Sequence, residues 1–257
     1  LKMQNLKVTI IQPDIVWENP QANLDNYTET IVSVDLSDLI VLPEMFTTGF
    51  SMNPESLKEP MDGSTLLWMK NMAALKKAAI IGSVIIEENG KIYNRAVFVF
   101  PDGKIQFYDK HHLYTMGQEH FHYSPGNEKL IINYNGWRIC PLICYDLRFP
   151  VWSRNAENYD LLIYMANWPS PRHHVWKLLL AARAVENQSF CIGVNRTGND
   201  GAGLKYLGDS ALIDAKGNAT YLGDKPTVQT FEINYKNLHE FRKSFPLLAD
   251  KDEFSIG

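Results

Sequence analysis

Three cysteines among 257 residues, Cys140, Cys144 and Cys191, are too few and of the wrong parity for a disulfide framework. That scarcity points to a reducing compartment, and the cytoplasm is the expected location. No apolar run comes near the roughly 18 residues needed to span a bilayer. The opening segment LKMQNLKVTIIQP carries only the short stretch VTII ahead of a Gln, which reads as a first strand rather than a signal peptide. Positive charge is not in excess either: 25 Lys and Arg stand against 29 Asp and Glu, with no basic block. Nucleic-acid binding therefore lacks electrostatic support. Low-complexity linkers and repeats of solenoid period are also missing.

What is present is a soluble-type composition, 45% hydrophobic and 21% charged, in a chain long enough to bury a core without staples. Short Val- and Ile-rich runs recur at Val8–Ile11, Leu39–Leu42, Ile80–Ile86, Ala96–Phe100, Leu130–Ile132, Leu161–Met165, Cys191–Val194, Ala211–Ile213 and Val228–Ile233. Several are nearly continuous, as in strands covered on both faces. Helices are expected over Pro20–Val34, Gly63–Lys77 and Arg172–Gln188. In the last, Val175, Leu178, Leu179, Ala182 and Val185 form an apolar stripe at helical spacing. Asn89-Gly90, Asp102-Gly103, Asn135-Gly136 and Lys216-Gly217 mark turns between strand-like runs. The unbroken alternation predicts one α/β domain over 1–257. Element order alone does not separate packed sheets from a doubly wound sheet.

Four residues are candidates for chemistry. Cys144 ends a strand-like stretch and precedes a helix expected near Phe149 or Pro150. A sharp turn there would project the thiol from the sheet and aim helix-start N–H groups at it, favouring the thiolate. Taken alone, such a cysteine is more often a small buried hydrophobe. Glu44 closes the apolar run LIVLPE, where a carboxylate must be solvated, paired or protonated. As a proton acceptor it would serve the thiol; otherwise it is a surface acid. Lys110 follows a strand-like stretch, and its ammonium would stabilise a developing oxyanion unless it is an ordinary solvated lysine. Glu119, in the crowded loop GQEHFHYSPG, would hold that lysine or orient a leaving group.

The strings LPE (42–44), DKHHLY (109–114), QEHFHYSPG (118–126) and CYDLRFP (144–150) resemble, in order and spacing, the nitrilase superfamily of carbon–nitrogen hydrolases. ANWPSPR (166–172), ARAVENQ (182–188), GVNRTG (193–198) and GDSALIDAKG (208–217) extend the resemblance over nearly the whole chain. It implies a four-layer α-β-β-α sandwich, a Glu–Lys–Cys triad at Glu44, Lys110 and Cys144, and a second glutamate at Glu119. Within the superfamily the chain looks most like the omega-amidases, which release ammonia from short 2-oxo dicarboxylate monoamides. Tyr145-Asp146 follows the cysteine, as in amidases and carbamoylases, where nitrilases usually carry Trp-Glu.

The chemistry so implied needs no metal or organic cofactor. Arg148, Arg172 and Asn167 are candidates for binding the substrate's distal carboxylate, Trp168 for walling the pocket, and the Tyr145 N–H for the oxyanion. Arg148 has an alternative partner in Asp146. The resemblance also implies a homodimer, with the tail from about 238 to 257 at its interface. N-carbamoyl-amine and simple aliphatic amide hydrolysis are alternatives of the same class. A papain-like Cys–His hydrolase using His111, His112 or His120 lacks the local cysteine signature of that class. Metal binding by His111-His112, His120/His122 or His173-His174 lacks HExxH or paired CxxC spacing. An inactive binding protein on the same fold is the alternative of another class.

Overall fold

The Val- and Ile-rich runs become strands because each sends alternate side chains into two different apolar layers. In a computed structural model, which describes residues 5–255, the first half of the chain forms β1 (Leu6–Gln12), α1 (Pro20–Ser33), β2 (Leu39–Val41), α2 (Ser64–Lys76), β3 (Ala79–Glu88), β4 (Lys91–Val99) and β5 (Ile105–Asp109). Residues 1–4 of the opening segment and 256–257 of the tail lie outside the described residues. The second half forms β6 (Ile132–Tyr134), β7 (Trp137–Ile143), α3 (Pro150–Ser153), β8 (Leu161–Met165), α4 (His173–Glu186) and β9 (Phe190–Val194). It continues with β10 (Thr197–Asn199), β11 (Lys205–Leu207), β12 (Ala211–Ile213), β13 (Ala219–Tyr221), β14 (Thr227–Ile233) and α5 (Tyr235–Ser244).

Two six-stranded sheets result, ordered β14-β1-β2-β3-β4-β5 and β13-β12-β9-β8-β7-β6. The first is parallel over β1-β2-β3 and the second over β7-β8-β9, with antiparallel strands at the edges. The last strand returns to the first, Leu6 lying opposite Ile233.

Alternation decides the layers. Val8, Ile10, Leu39, Val41, Ala79, Ile81, Ala96 and Phe98 join a core shared with the second sheet. Their neighbours Ile11, Ile40, Ile80, Val97 and Val99 turn the other way, onto Leu24, Tyr27 and Ile31 of α1 and Leu66, Met69 and Ala73 of α2. On the far side, Trp176, Leu180 and Ala184 of α4 pack on the second sheet. The architecture is thus a four-layer α-β-β-α sandwich, and the doubly wound alternative is ruled out by the two separate sheets.

Local signals explain the boundaries. Asn19 accepts from the Ala22 N–H and Pro20 starts α1. Asn89-Gly90 and Asn135-Gly136 both adopt positive φ, as a tight hairpin turn requires. Two expectations need correction. The run at 130–132 enters the sheet only at Ile132, as β6. The stripe on α4 is also misplaced: Leu178 is 67% and Val185 46% exposed, and the buried line is Trp176, Leu180, Arg183 and Ala184. Gly193 on β9 explains the rotation. A Cβ there would stand 2.4 Å from Leu180 and 2.6 Å from Trp176, so its absence lets the bulkiest side chain of α4 lie against the strand.

Candidate active site

Strand ends bring the chemistry together. Glu44 follows β2 of the first sheet; Cys144 and Asn167 follow β7 and β8 of the second; Lys110 follows β5. The carboxyl ends of parallel strands from both sheets therefore face one crevice, the usual place for a site in an α/β protein.

Lys110 is the hub of a buried charge cluster. Its Nζ donates to Glu44 Oε1 at 2.8 Å and to Glu119 Oε1 and Oε2 at 2.9 and 3.0 Å. All three side chains are at most 1% exposed. Glu44 is thus the paired carboxylate among the three states its position allowed. Its Oε2 accepts the Asn167 N–H at 2.8 Å, and its carbonyl accepts Asn167 Nδ2 at 2.6 Å. Burial pulls the Lys110 ammonium down, but Glu119 and Glu44 outweigh it and the net direction is up. Burial also pushes the Glu119 carboxyl up, with Lys110 pulling against it and Glu44 adding to the rise. Two carboxyl groups thus share one ammonium.

Cys144 stands at a strained corner, with φ +43° immediately after the end of β7. A non-glycine residue there is costly, and such strain gathers at working sites. The corner is held by Asp146, whose Oδ2 accepts from the Ile143 N–H at 3.1 Å and from Tyr108 Oη at 2.8 Å. Asp146 Oδ1 accepts from the His112 N–H at 2.9 Å. One carboxylate thereby ties the cysteine corner to the segment carrying Lys110. It does not pair with Arg148.

The expected thiolate-favouring helix start is not there. A 3-10 turn over Cys144–Arg148 follows the corner, and α3 is only a four-residue turn. Burial pushes the Cys144 thiol well above its ordinary range, the Glu44 carboxylate adds to the rise, and Lys110 opposes it. The sulfur rests as a neutral thiol that reaches the Asn167 carbonyl at 3.9 Å, with the Glu44 carboxylate near enough to act on it.

The thiol opens onto a cavity of about 520 Å³. Tyr145, Arg148, Asn167, Trp168 and Arg172 all line it, with Phe50, Tyr114 and Tyr206 among the aromatic walls. Arg148 lies over the Trp168 ring at 5.1 Å and Arg172 over the Tyr114 ring at 5.4 Å. Among the described residues neither guanidinium has a carboxylate within salt-bridge distance. Asp200, the carboxylate on that wall, is already engaged by the Ala202 and Leu204 N–H groups and by Tyr206 Oη. Asn167 reaches the cavity, yet its donors serve Glu44. Trp168 is fixed by its Nε1–H on the Arg172 carbonyl and its backbone N–H on Asn195 Oδ1, both at 2.8 Å.

Histidines are engaged elsewhere. His111 stacks on Trp152 at 3.7 Å and bonds the Gly126 carbonyl, while His112 stacks on Phe149 and bonds Asp146. His120 is exposed beside Phe121. His173 faces Asp209. None stands among the groups acting on the thiol.

Sequence reasoning missed Asn94 of β4, which is fully buried and donates from Nδ2 to Glu44 Oε1 at 2.8 Å. The available signal was a lone amide inside the strand run KIYNRAVFVF. It also missed Asn195, whose amide clamps Trp168 from the end of β9.

A crevice built from the ends of two stacked sheets, with a cysteine corner facing a Glu–Lys–Glu cluster, defines a class of thiol-bearing α-β-β-α proteins. The carbon-nitrogen hydrolase family model matches residues 7–243, and the chain belongs to that family. It is 44% identical over 256 residues to the omega-amidase YafV of Escherichia coli (strain K12), covering 99% of this chain and 100% of that protein. It is 33% identical to the 2-oxoglutaramate amidase of Bacillus subtilis (strain 168), with 95% and 96% covered. Among solved structures it resembles a CN-hydrolase superfamily protein from Xanthomonas campestris that carries an arsenic adduct in its active site. The TM-score there is 0.96 at 43% identity, over 99% of this chain and 100% of that one.

Proposed function

We propose that the protein is an omega-amidase, which hydrolyses the terminal amide of a short 2-oxo dicarboxylic acid monoamide to the acid and ammonia. The observation that carries this reading is the cavity itself: the Cys144 thiol and Lys110 line it, with Glu44 buried behind them, and two guanidinium groups without carboxylate partners among the described residues stand in its wall. An uncharged amide fits the floor and an anionic end fits the wall. The relatives named omega-amidase and 2-oxoglutaramate amidase support the same substrate class.

The mechanism follows from the placement of groups. Glu44 takes the Cys144 proton as the sulfur attacks the amide carbonyl, so the high-lying thiol is ionised only when it reacts. The Lys110 ammonium and the Tyr145 N–H stabilise the oxygen of the tetrahedral intermediate. Removing one such donor raises the barrier by about 2.7–4 kcal/mol. Glu44 then hands its proton to the departing ammonia, leaving a Cys144 thioester. The same carboxylate activates a water that cleaves the thioester to the acid. Glu119 holds Lys110 in place. Arg148 and Arg172 receive the distal carboxylate and Trp168 walls the chain between. Every step uses protein groups and water, and the reaction calls on no cofactor.

The working unit in this reading is the single domain over 1–257, paired as a homodimer in the cytoplasm. No helix among the described residues is long and apolar enough to cross a membrane. Exposed Leu178 and Val185 on α4 and Phe245 and Phe254 in the tail support an apolar contact between copies. Sedimentation equilibrium of Leu178→Asp should show monomers where the parent shows dimers.

The test of function is ammonia release from 2-oxoglutaramate, 2-oxosuccinamate, glutamine, an N-carbamoyl amino acid and a nitrile. Preference for either 2-oxo compound supports the proposal; silence on both ends it.

A further inference from the structure

Asn94 links both carboxylates of the charge cluster. Its Nδ2 donates to Glu44 Oε1 at 2.8 Å and reaches Glu119 Oε1 at 3.4 Å. Which end of an amide faces a carboxylate has to be fixed by its partners, and here they agree. The Met45 backbone N–H donates to Ser83 Oγ at 2.8 Å, and Ser83 Oγ–H donates to Asn94 Oδ1 at 2.7 Å. A backbone N–H cannot reverse its role. The Glu44 and Glu119 carboxylates accept and so take the Nδ2 end of Asn94, while the Ser83 hydroxyl, already accepting from Met45, keeps its own hydrogen for Oδ1. Ser83 and Asn94 are both fully buried, so no water competes for these bonds.

The consequence concerns the two oxygens of Glu44. Oε1 accepts from Lys110 Nζ at 2.8 Å and from Asn94 at 2.8 Å, which uses both of its lone-pair sites. Oε2 accepts only from the Asn167 N–H, at 2.8 Å, and keeps one site open. We propose that Asn94, oriented by Ser83, is a positioning residue that saturates Glu44 Oε1 and makes Oε2 the atom that accepts the proton of Cys144. The inference rests on Glu44 being the base of the reaction proposed above. As the Sγ–H bond breaks, the proton goes to Oε2 and the sulfur pair attacks the carbonyl carbon. Lys110 and Asn94 stay on Oε1 throughout, so proton transfer leaves the ammonium where the oxyanion needs it.

Removing a donor from a carboxylate raises the pH at which it takes up a proton. Lys110, Glu119, Cys144 and the Tyr123 hydroxyl are the other titratable groups acting on Glu44. The experiment is the pH profile of kcat/KM for ammonia release, which reports the essential base of the free enzyme. It is run on Asn94→Ala and Ser83→Ala with Glu44→Gln in parallel. Ser83→Ala touches neither carboxylate and serves if Asn94→Ala does not fold. Expected are losses in kcat of about a hundredfold for Asn94→Ala and about tenfold for Ser83→Ala, with KM within about twofold. In Asn94→Ala the acid limb moves to higher pH, and in Ser83→Ala it moves the same way by less. An acid limb left in place, whatever happens to kcat, overturns the inference and assigns the pair a structural role. Turnover surviving in Glu44→Gln overturns the base assignment, and this inference with it. A dead Glu44→Gln beside unshifted Asn94 and Ser83 variants sinks the inference alone.

Discussion

The floor and the wall of the cavity handle charge in opposite ways. Behind the floor, where Lys110 alone of the three reaches the cavity, Lys110, Glu44 and Glu119 are buried and bonded to one another, to Asn94 and to the Asn167 and Tyr114 N–H groups. On the wall, Arg148 and Arg172 lie on aromatic faces with no carboxylate in reach among the described residues. A buried ion must be matched by fixed partners or it destabilises the fold. A half-buried cation over an aromatic ring is stable enough alone and gains from an incoming anion. In the proposed reaction, the groups that move protons are pre-positioned by the fold, while the groups that recognise are left for the ligand to complete.

The largest effect should come from the floor. Cys144→Ala should lower kcat on the order of 10⁴-fold or more, measured by ammonia release, because no other thiol reaches the cavity. Glu119→Ala should be next, and it should report in two channels. Breaking a buried ion pair costs about 3 kcal/mol or more, read from denaturant unfolding, and the loosened Lys110 should lower kcat about a hundredfold. If stability holds and only kcat falls, Glu119 is less a strut than the geometry implies.

The wall should answer differently. Arg172→Ala and Arg148→Ala should each raise KM for omega-amides about tenfold with little change in kcat, since a bond to a charged group is lost on binding. A variant with unchanged KM leaves the list of carboxylate-binding residues. A fall in kcat at constant KM would erase the division between floor and wall.

The smallest expected effect is a matter of rate. Iodoacetamide should label Cys144, the half-buried cysteine, and spare the fully buried Cys140 and Cys191. Burial raises the Cys144 thiol, and burial pushes Cys140 up to about 12. The sign is therefore fixed: the rate at Cys144 should still be climbing above pH 9, where an ordinary thiol, ionising near about 8.5, has levelled off. A plateau by pH 8 would contradict the neutral resting thiol.

Legibility in the sequence followed the same division. Glu44 and Cys144 stand where apolar runs stop, and their motif strings are contiguous, so the ends of β2 and β7 could be read directly. Lys110 and Glu119 were legible as DKHHLY and QEHFHYSPG, though nothing local says that they bond. Asn94 was hidden because one polar residue in a strand normally points to water, and only the stacking of two sheets turns it inward. The face of α4 was misread for a related reason. Periodicity marks several stripes on a helix rich in Leu and Ala, and the choice among them belongs to Gly193 on the strand beneath. The rise of the Cys144 thiol was likewise invisible, since it depends on burial and on Glu44, 100 positions away in the chain.

The central claim is that Cys144 carries the acyl group while Glu44 moves the proton. Its most direct test is acid-quenched mass spectrometry of the enzyme mixed with 2-oxoglutaramate, followed by peptide mapping. The account predicts a transient mass gain equal to the acyl group, located on Cys144 and absent from Cys144→Ala. Undiminished ammonia release by Cys144→Ala, or an acyl group mapped to any other residue, would contradict it.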